Sequence, residues 1–184
     1  MTADGFFELP DDGRRYELVD GEVEMAAAPS VNAHQYTVGR LFLVVGPHVE
    51  ELRLGFVFVA PGDVVLSAYD VLQPDLFFIA AARSFIIGDR VHGAPDLVVE
   101  VISPSTEEFD RGLKLRRYAR FGVAWYWIVD PRKRLLDEFE LVDSAYVRRA
   151  HLEGDATFEP AIFPGLTINL ARIWPGIIEG APED

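Results

Sequence analysis

The sequence contains no cysteine, which removes disulfides, thiolate zinc sites, iron–sulfur clusters and thiol nucleophiles together. Any metal must then be held by oxygen or imidazole. Long hydrophobic runs are missing too: no stretch free of charged and strongly polar residues is longer than that from Phe121 to Val129, nine residues, against about 20 for a bilayer span. No membrane association is expected. The opening MTADGFFELPDD lacks a cationic start and an apolar core, so it does not read as a secretory signal, and a cytoplasmic location is expected. Positive charge is in deficit, with 17 Lys and Arg against 30 Asp and Glu and a net charge of -13, which opposes long-range attraction to a polyanion. The cations are unevenly spread, however: Arg111, Lys114, Arg116, Arg117 and Arg120 fall close together, and Arg132, Lys133 and Arg134 follow. Repeats, low-complexity tracts and linker-like runs are also missing. The 184 residues suit one domain of about 100 to 200, so 1–184 reads as a single unit with 176–184 as a tail prone to fray.

What is present alternates between strand and helix signals. Arg15 to Leu18 and Glu22 to Ala27 flank Asp20-Gly21, a strong hairpin signal. Ser30 can cap a helix that begins near Val31 and carries Val38, Leu41, Phe42 and Val45 at three- and four-residue spacing, with Gly46-Pro47 expected to kink or end it. Gly55 to Ala60, Val64 to Ser67 and Asp75 to Ile79 are β-rich. Asp96 to Ser103 is dominated by β-branched residues, as suits a central strand buried on both faces. Ser105 and Glu108 have capping-box spacing and Gly122 fits a C-terminal stop, predicting a helix over 106–121. Val123 to Val129 reads as the next strand and Leu135 to Val142 as an edge strand. Tyr146 to Leu152 is a further strand candidate, and Asn169 to Trp174 a short terminal helix. The fold class is α/β, with a central mixed β-sheet flanked by helices and an N-terminal β-hairpin.

Phosphate loops, nucleophile elbows, paired zinc-binding histidines and calcium loops are missing, so chemistry falls to carboxylates and lysine. Glu100 stands out. Strand alternation puts Asp96, Val98, Glu100 and Ile102 on one face, leaving a carboxylate within an apolar surface that must find a cation, donors or a proton. Asp96 lies about 13 Å away along the strand, too far to share a metal. Asp75, after Pro74, can reach Glu100 if their strands are neighbours. Two convergent carboxylates suit magnesium or manganese.

These blocks resemble a known family. Pro74-Asp75, then Glu100-Val101-Ile102 on a strand, then a helix bearing Lys114, resemble the PD-(D/E)XK restriction-endonuclease-like superfamily with its lysine moved to the next helix. More closely, YELVDGEVEM at 16–25, His34, QPDLFFI at 73–79, APDLVVEVISPST at 94–106, Asp110, Lys114, Tyr118 and WYWIVDP at 125–131 resemble the bacterial family of Uma-type restriction endonucleases, long filed as a domain of unknown function. The resemblance covers nearly the whole chain. It implies a restriction-endonuclease-like core, frequent dimers, and a metal-dependent endonuclease hydrolysing phosphodiester bonds, with DNA as the expected substrate. It further implies Mg2+ or Mn2+ at Asp75 and Glu100, Lys114 as the displaced lysine and Glu17 as an additional acid. Ile102 stands where a strand lysine would be. His34, Asp110, Arg117 and Tyr118 are candidates for supporting the site or meeting the substrate.

Each residue has a plainer reading. Asp110 and Lys114 at i, i+4 form an ordinary helix ion pair; Glu100 can pair with a structural arginine; Glu17 suits a solvated strand and His34 a structural role. Charge runs are usually solvated faces. Two other functions therefore stay open: a nuclease-like interaction module without catalysis, and a metal-dependent hydrolase of a smaller phosphoester. Trp125 and Trp127 project to one side of their strand, and the apolar surface there predicts a homodimer.

Overall fold

Runs of β-branched and aromatic residues build two sheets that carry the fold. The computed structural model describes residues 1–25, 31–103, 107 and 109–176. Its larger sheet has six strands in the order β11-β10-β9-β8-β6-β3, where β3 is Gly55–Val59, β6 Leu76–Ala80, β8 Leu97–Val101, β9 Trp125–Asp130, β10 Leu135–Val142 and β11 Ala145–Glu153. Only β8 and β9 are parallel, because the helical crossover between them returns the chain in the same direction. A second sheet, ordered β2-β1-β5-β4-β7, is built from β1 Tyr16–Val19, β2 Glu22–Met25, β4 Val64–Ser67, β5 Asp70–Leu72 and β7 Val91–His92. The mixed sheet, the flanking helices and the N-terminal hairpin agree with the sequence reading.

Each face of the larger sheet is covered. On one, Leu97, Val99, Val101 and Trp127 pack against Val38, Leu41, Val45 and Val49 of helix α2, Tyr36–Glu51, and against Phe158, Phe163 and Ile173. On the other, Val98, Ile102, Tyr126 and Ile128 meet Tyr118 and, from the small sheet, Val19, Val64 and Leu72. Burying each such side chain contributes about 1.5–3 kcal/mol, so the alternation of β8 is fixed by burial on both sides. Helix α1, Ala3–Phe7, closes the small sheet over Leu18 and Val71.

Several expectations change. Of the kink or end expected at Gly46-Pro47, the end does not occur: helix α2 runs through Pro47 to Glu51, because the buried stripe continues on both sides of the proline and outweighs the lost backbone bond. The segment before it, Val31–Gln35, is π-helical. The helix expected over 106–121 divides into a π-helical stretch, Phe109–Lys114, and α3, Leu115–Phe121; Gly122 ends it at φ 83° as expected. Its capping pair Ser105 and Glu108, with Thr106, lies outside the described residues, as do Ala26, Ala27, Ser30 and 177–184. The predicted edge strand Leu135–Val142 is interior, since β11 pairs along its far side. The terminal helix over Asn169 to Trp174 shrinks to one 3-10 turn, Leu170–Arg172, because Ile168–Asn169 is taken by a strand. Trp127 is fully buried and Trp125 packs against the same core, so the apolar surplus expected at that strand is consumed internally. No helix among the described residues is long and apolar enough to cross a membrane.

One acid belongs to the core rather than to any site. Glu138 on β10 is buried and accepts hydrogen bonds from Trp127 Nε1 at 3.2 Å and the Ala161 N–H at 3.3 Å. Burial raises its carboxyl above the usual value of 4.5, against the pull of both donors. The folded state therefore holds this proton more tightly than the unfolded chain. Its stabilising contribution is fully present below about 4.5 and is lost as pH rises through the folded value. Glu138→Gln should raise Tm at pH 8 by a few degrees, as about 1 kcal/mol moves Tm by about 2–4 °C at this size, with a smaller gain at pH 5. Melts offset equally at both pH values would contradict this.

Candidate active site

The acids singled out in the sequence meet beyond the end of the β6–β8 ladder. The antiparallel register pairs Leu76 with Val99, so the next step sets Asp75 opposite Glu100. Pro74 holds the chain extended as it enters β6. Asp75 Oδ2 accepts the Val101 N–H at 2.8 Å and lies 3.0 Å from His34 Nε2. Glu100 Oε1 accepts from Lys114 Nζ at 3.0 Å and from the Tyr118 hydroxyl at 2.8 Å. Each acid thus commits one oxygen, and Asp75 Oδ1 and Glu100 Oε2 accept no hydrogen bond from the described residues.

Lys114 is the hub. Its ammonium lies 3.0 Å from Glu100, 3.2 Å from Glu17 and 3.7 Å from Asp110. Glu17 arrives from β1 of the small sheet, where its Oε1 also accepts the Gln73 N–H at 2.8 Å. It is not the solvated strand residue that its place beside a turn suggests. Asp110 and Tyr118 share the helical face of Lys114, and the Tyr126 hydroxyl donates to the Asp110 carbonyl at 3.1 Å. All of Glu17, His34, Asp75, Glu100, Asp110, Lys114 and Tyr118 are buried. His34 and Lys114 each stand in a π-helical stretch, a widened turn that re-aims side chains and recurs at functional sites. No pattern in the sequence signals that widening.

Electrostatically the cluster is short of positive charge. Burial pushes the Glu100 carboxyl well above its usual range; Lys114 pulls it back, while Asp75, Asp110 and Glu17 push it further up. Burial alone would depress the Lys114 ammonium, but Glu100, Glu17, Asp110 and Asp75 outweigh it and hold the group firmly protonated. Burial and the Glu100 charge also keep the Tyr118 hydroxyl protonated, so it serves as a donor. Four carboxyls around one ammonium and one imidazole form a set that a further cation suits chemically. Among the described residues no group of three histidine or acidic side chains is arranged to hold a metal by itself.

Arg117 does not join this cluster. It turns to Asp20 and Asp70. Arg120 also meets Asp20, Arg111 pairs with Asp137 at 3.0 Å and with Glu107, and Lys133 pairs with Glu107 and Asp130. Much of the basic run is thus neutralised locally. Asp96 stays a strand-entry residue, accepting the Ala80 N–H and pairing with Arg83.

No curated protein matches the sequence. Among solved structures, the chain is similar to a putative nuclease belonging to DUF820 from Anabaena variabilis ATCC 29413, with a TM-score of 0.79 and 17% identity, over 95% of this chain and 97% of that one. At that identity the likeness establishes the fold. The family model Uma2, described as "Putative restriction endonuclease", matches residues 3–171, a span that holds every residue of the cluster. The chain belongs to this Uma2 restriction endonuclease family.

Proposed function

We propose that this chain is a divalent-metal-dependent endonuclease that hydrolyses phosphodiester bonds in DNA, with Mg2+ or Mn2+ held by Asp75 and Glu100. The observation that carries the reading is the burial of Asp75 beside three further carboxyls, Glu17, Glu100 and Asp110, gathered around the single ammonium of Lys114. Magnesium is usually held by one or two carboxylates with water completing its shell, so two acids with an uncommitted oxygen each are sufficient. A bound divalent cation supplies an activated water and neutralises charge building on the phosphate oxygens.

The protein's own groups divide the remaining work. The Val101 N–H and His34 fix the Asp75 carboxylate. Tyr118 fixes Glu100 through the same oxygen that accepts from Lys114. The Lys114 ammonium is the positive group that meets a phosphate oxygen or orients the attacking water. Glu17 and Asp110 keep that ammonium charged and aimed.

A second reading, an interaction module without catalysis, is favoured by the local neutralisation of the basic run. Plasmid and single-stranded DNA assays with magnesium, manganese or EDTA decide between them. Cleavage with either metal and none in EDTA is expected. If neither metal supports cleavage and calorimetry shows no metal binding, the module takes its place.

A further inference from the structure

The two edges of the larger sheet are built differently. Strand β11 carries Arg148, Arg149 and Glu153 and meets β10 through a register shift at Glu138/Phe139, devices that keep an edge from pairing. Strand β3 reads Gly-Phe-Val-Phe-Val, with no charge and no proline, and its register with β6 is unbroken. The Leu54 carbonyl accepts from the Ala81 N–H at 2.8 Å and the Ala60 N–H donates to the Asp75 carbonyl at 3.0 Å, both toward β6. Backbone direction alternates along an antiparallel strand. Gly55, Val57 and Val59 therefore turn their N–H and C=O groups to the outer edge, where no strand among the described residues pairs with them. Beside them lies a groove of about 620 Å³ lined by Phe42, Leu43, Pro47, Phe56 and Val57. Leu43 is 61% exposed and Phe56 47%.

We propose that a second copy of this chain occupies this edge, its own β3 pairing antiparallel about a two-fold axis at Val57. The two phenylalanines of the strand, Phe56 and Phe58, are placed symmetrically about that residue. Pairing centred there sets Phe56 against the partner's Phe58 on one face of the sheet, an aromatic cross-strand pair. It also gives the outward groups of Gly55 and Val59 reciprocal partners. Charge permits the same occupant. A chain of net charge -13 repels its copies over most of its surface, but the ionised residues lining this groove are Glu50 and Arg53, which cancel. The two-fold stands perpendicular to the joined sheet, so the two Lys114 clusters lie on the same face of it. The pairing rests on the edge and the groove and not on the nuclease reading.

The absence of native cysteine makes the register directly testable. In the proposed pairing Val57 faces itself with Cα atoms about 5.5 Å apart, within the span of a disulfide. Mild oxidation of Val57→Cys should yield a covalent dimer, and Phe85→Cys, 81% exposed elsewhere, should not. Sedimentation of the wild-type protein should give twice 20.6 kDa. Phe56→Glu should weaken dimerisation at least about tenfold, equivalent to about 1.4 kcal/mol. Val57→Pro should do the same while leaving the β6 ladder intact, because the N–H it removes points outward. A monomeric wild-type protein overturns the proposal. A dimer that ignores Phe56→Glu and does not cross-link through Val57→Cys overturns it as well.

Discussion

Lys114→Ala is expected to cost the metal-free protein about 3–5 kcal/mol, the usual cost of leaving buried charges without their partner. The side chain is 8% exposed and its ammonium lies within 3.7 Å of Glu17, Glu100 and Asp110. Deleting it strands these acids in a space from which water is largely excluded. An ordinary exposed i, i+4 pair would cost about 0.3–0.5 kcal/mol, so urea unfolding separates the two readings by an order of magnitude. Under the proposed function cleavage also falls by about 10²- to 10⁴-fold. Added Mg2+ or Mn2+ should recover part of the lost stability, since Asp75 and Glu100 remain. A loss below about 1 kcal/mol would return Lys114 to the status of a helix ornament.

Glu100→Gln should behave in the opposite way. The glutamine carbonyl can still accept from Lys114 and Tyr118, so packing is retained, while a carboxyl driven upward by burial and by crowding from other acids is removed. Because the folded pKa lies above the unfolded value, the wild-type contribution is present below about 4.5 and is lost as pH rises through the folded value. The variant should therefore gain stability relative to wild type as pH rises. Cleavage nevertheless falls by about 10²- to 10⁴-fold, and calorimetric metal binding is lost with the ligand charge. Metal affinity equal to wild type would remove Glu100 from the coordinating set.

What the sequence made legible followed strict periods. Burial on both faces writes β8 as an apolar run broken by one acid, so the awkward place of Glu100 could be read directly, and the glycine stop at Gly122 needs only a local backbone conformation. What stayed hidden depends on distant segments. Glu17 looks solvated on its own hairpin because the charge that buries it, Lys114, comes nearly a hundred residues later and packs from another layer. Arg117 shares a helical face with Lys114, yet Asp20 and Asp70 draw it away. Pro47 reads as a kink or a stop until the buried stripe on both its sides is counted. The strand Leu135–Val142 reads as an edge because the following hairpin turns through Asp143 and Ser144, both at positive φ, with no glycine to announce it.

The reach of Lys114 across two sheets has a mechanical meaning. One bond ties it to Glu100 on β8, and another ties it to Glu17 on β1. The ammonium therefore works as a rivet between the N-terminal hairpin and the body of the molecule. A ligand that competes for that ammonium pulls on the rivet, and the hairpin, with β2 exposed along its length, is the lighter of the two plates. Amide exchange along Tyr16–Val19 would then register events at Glu100 from a strand that forms no part of the same sheet.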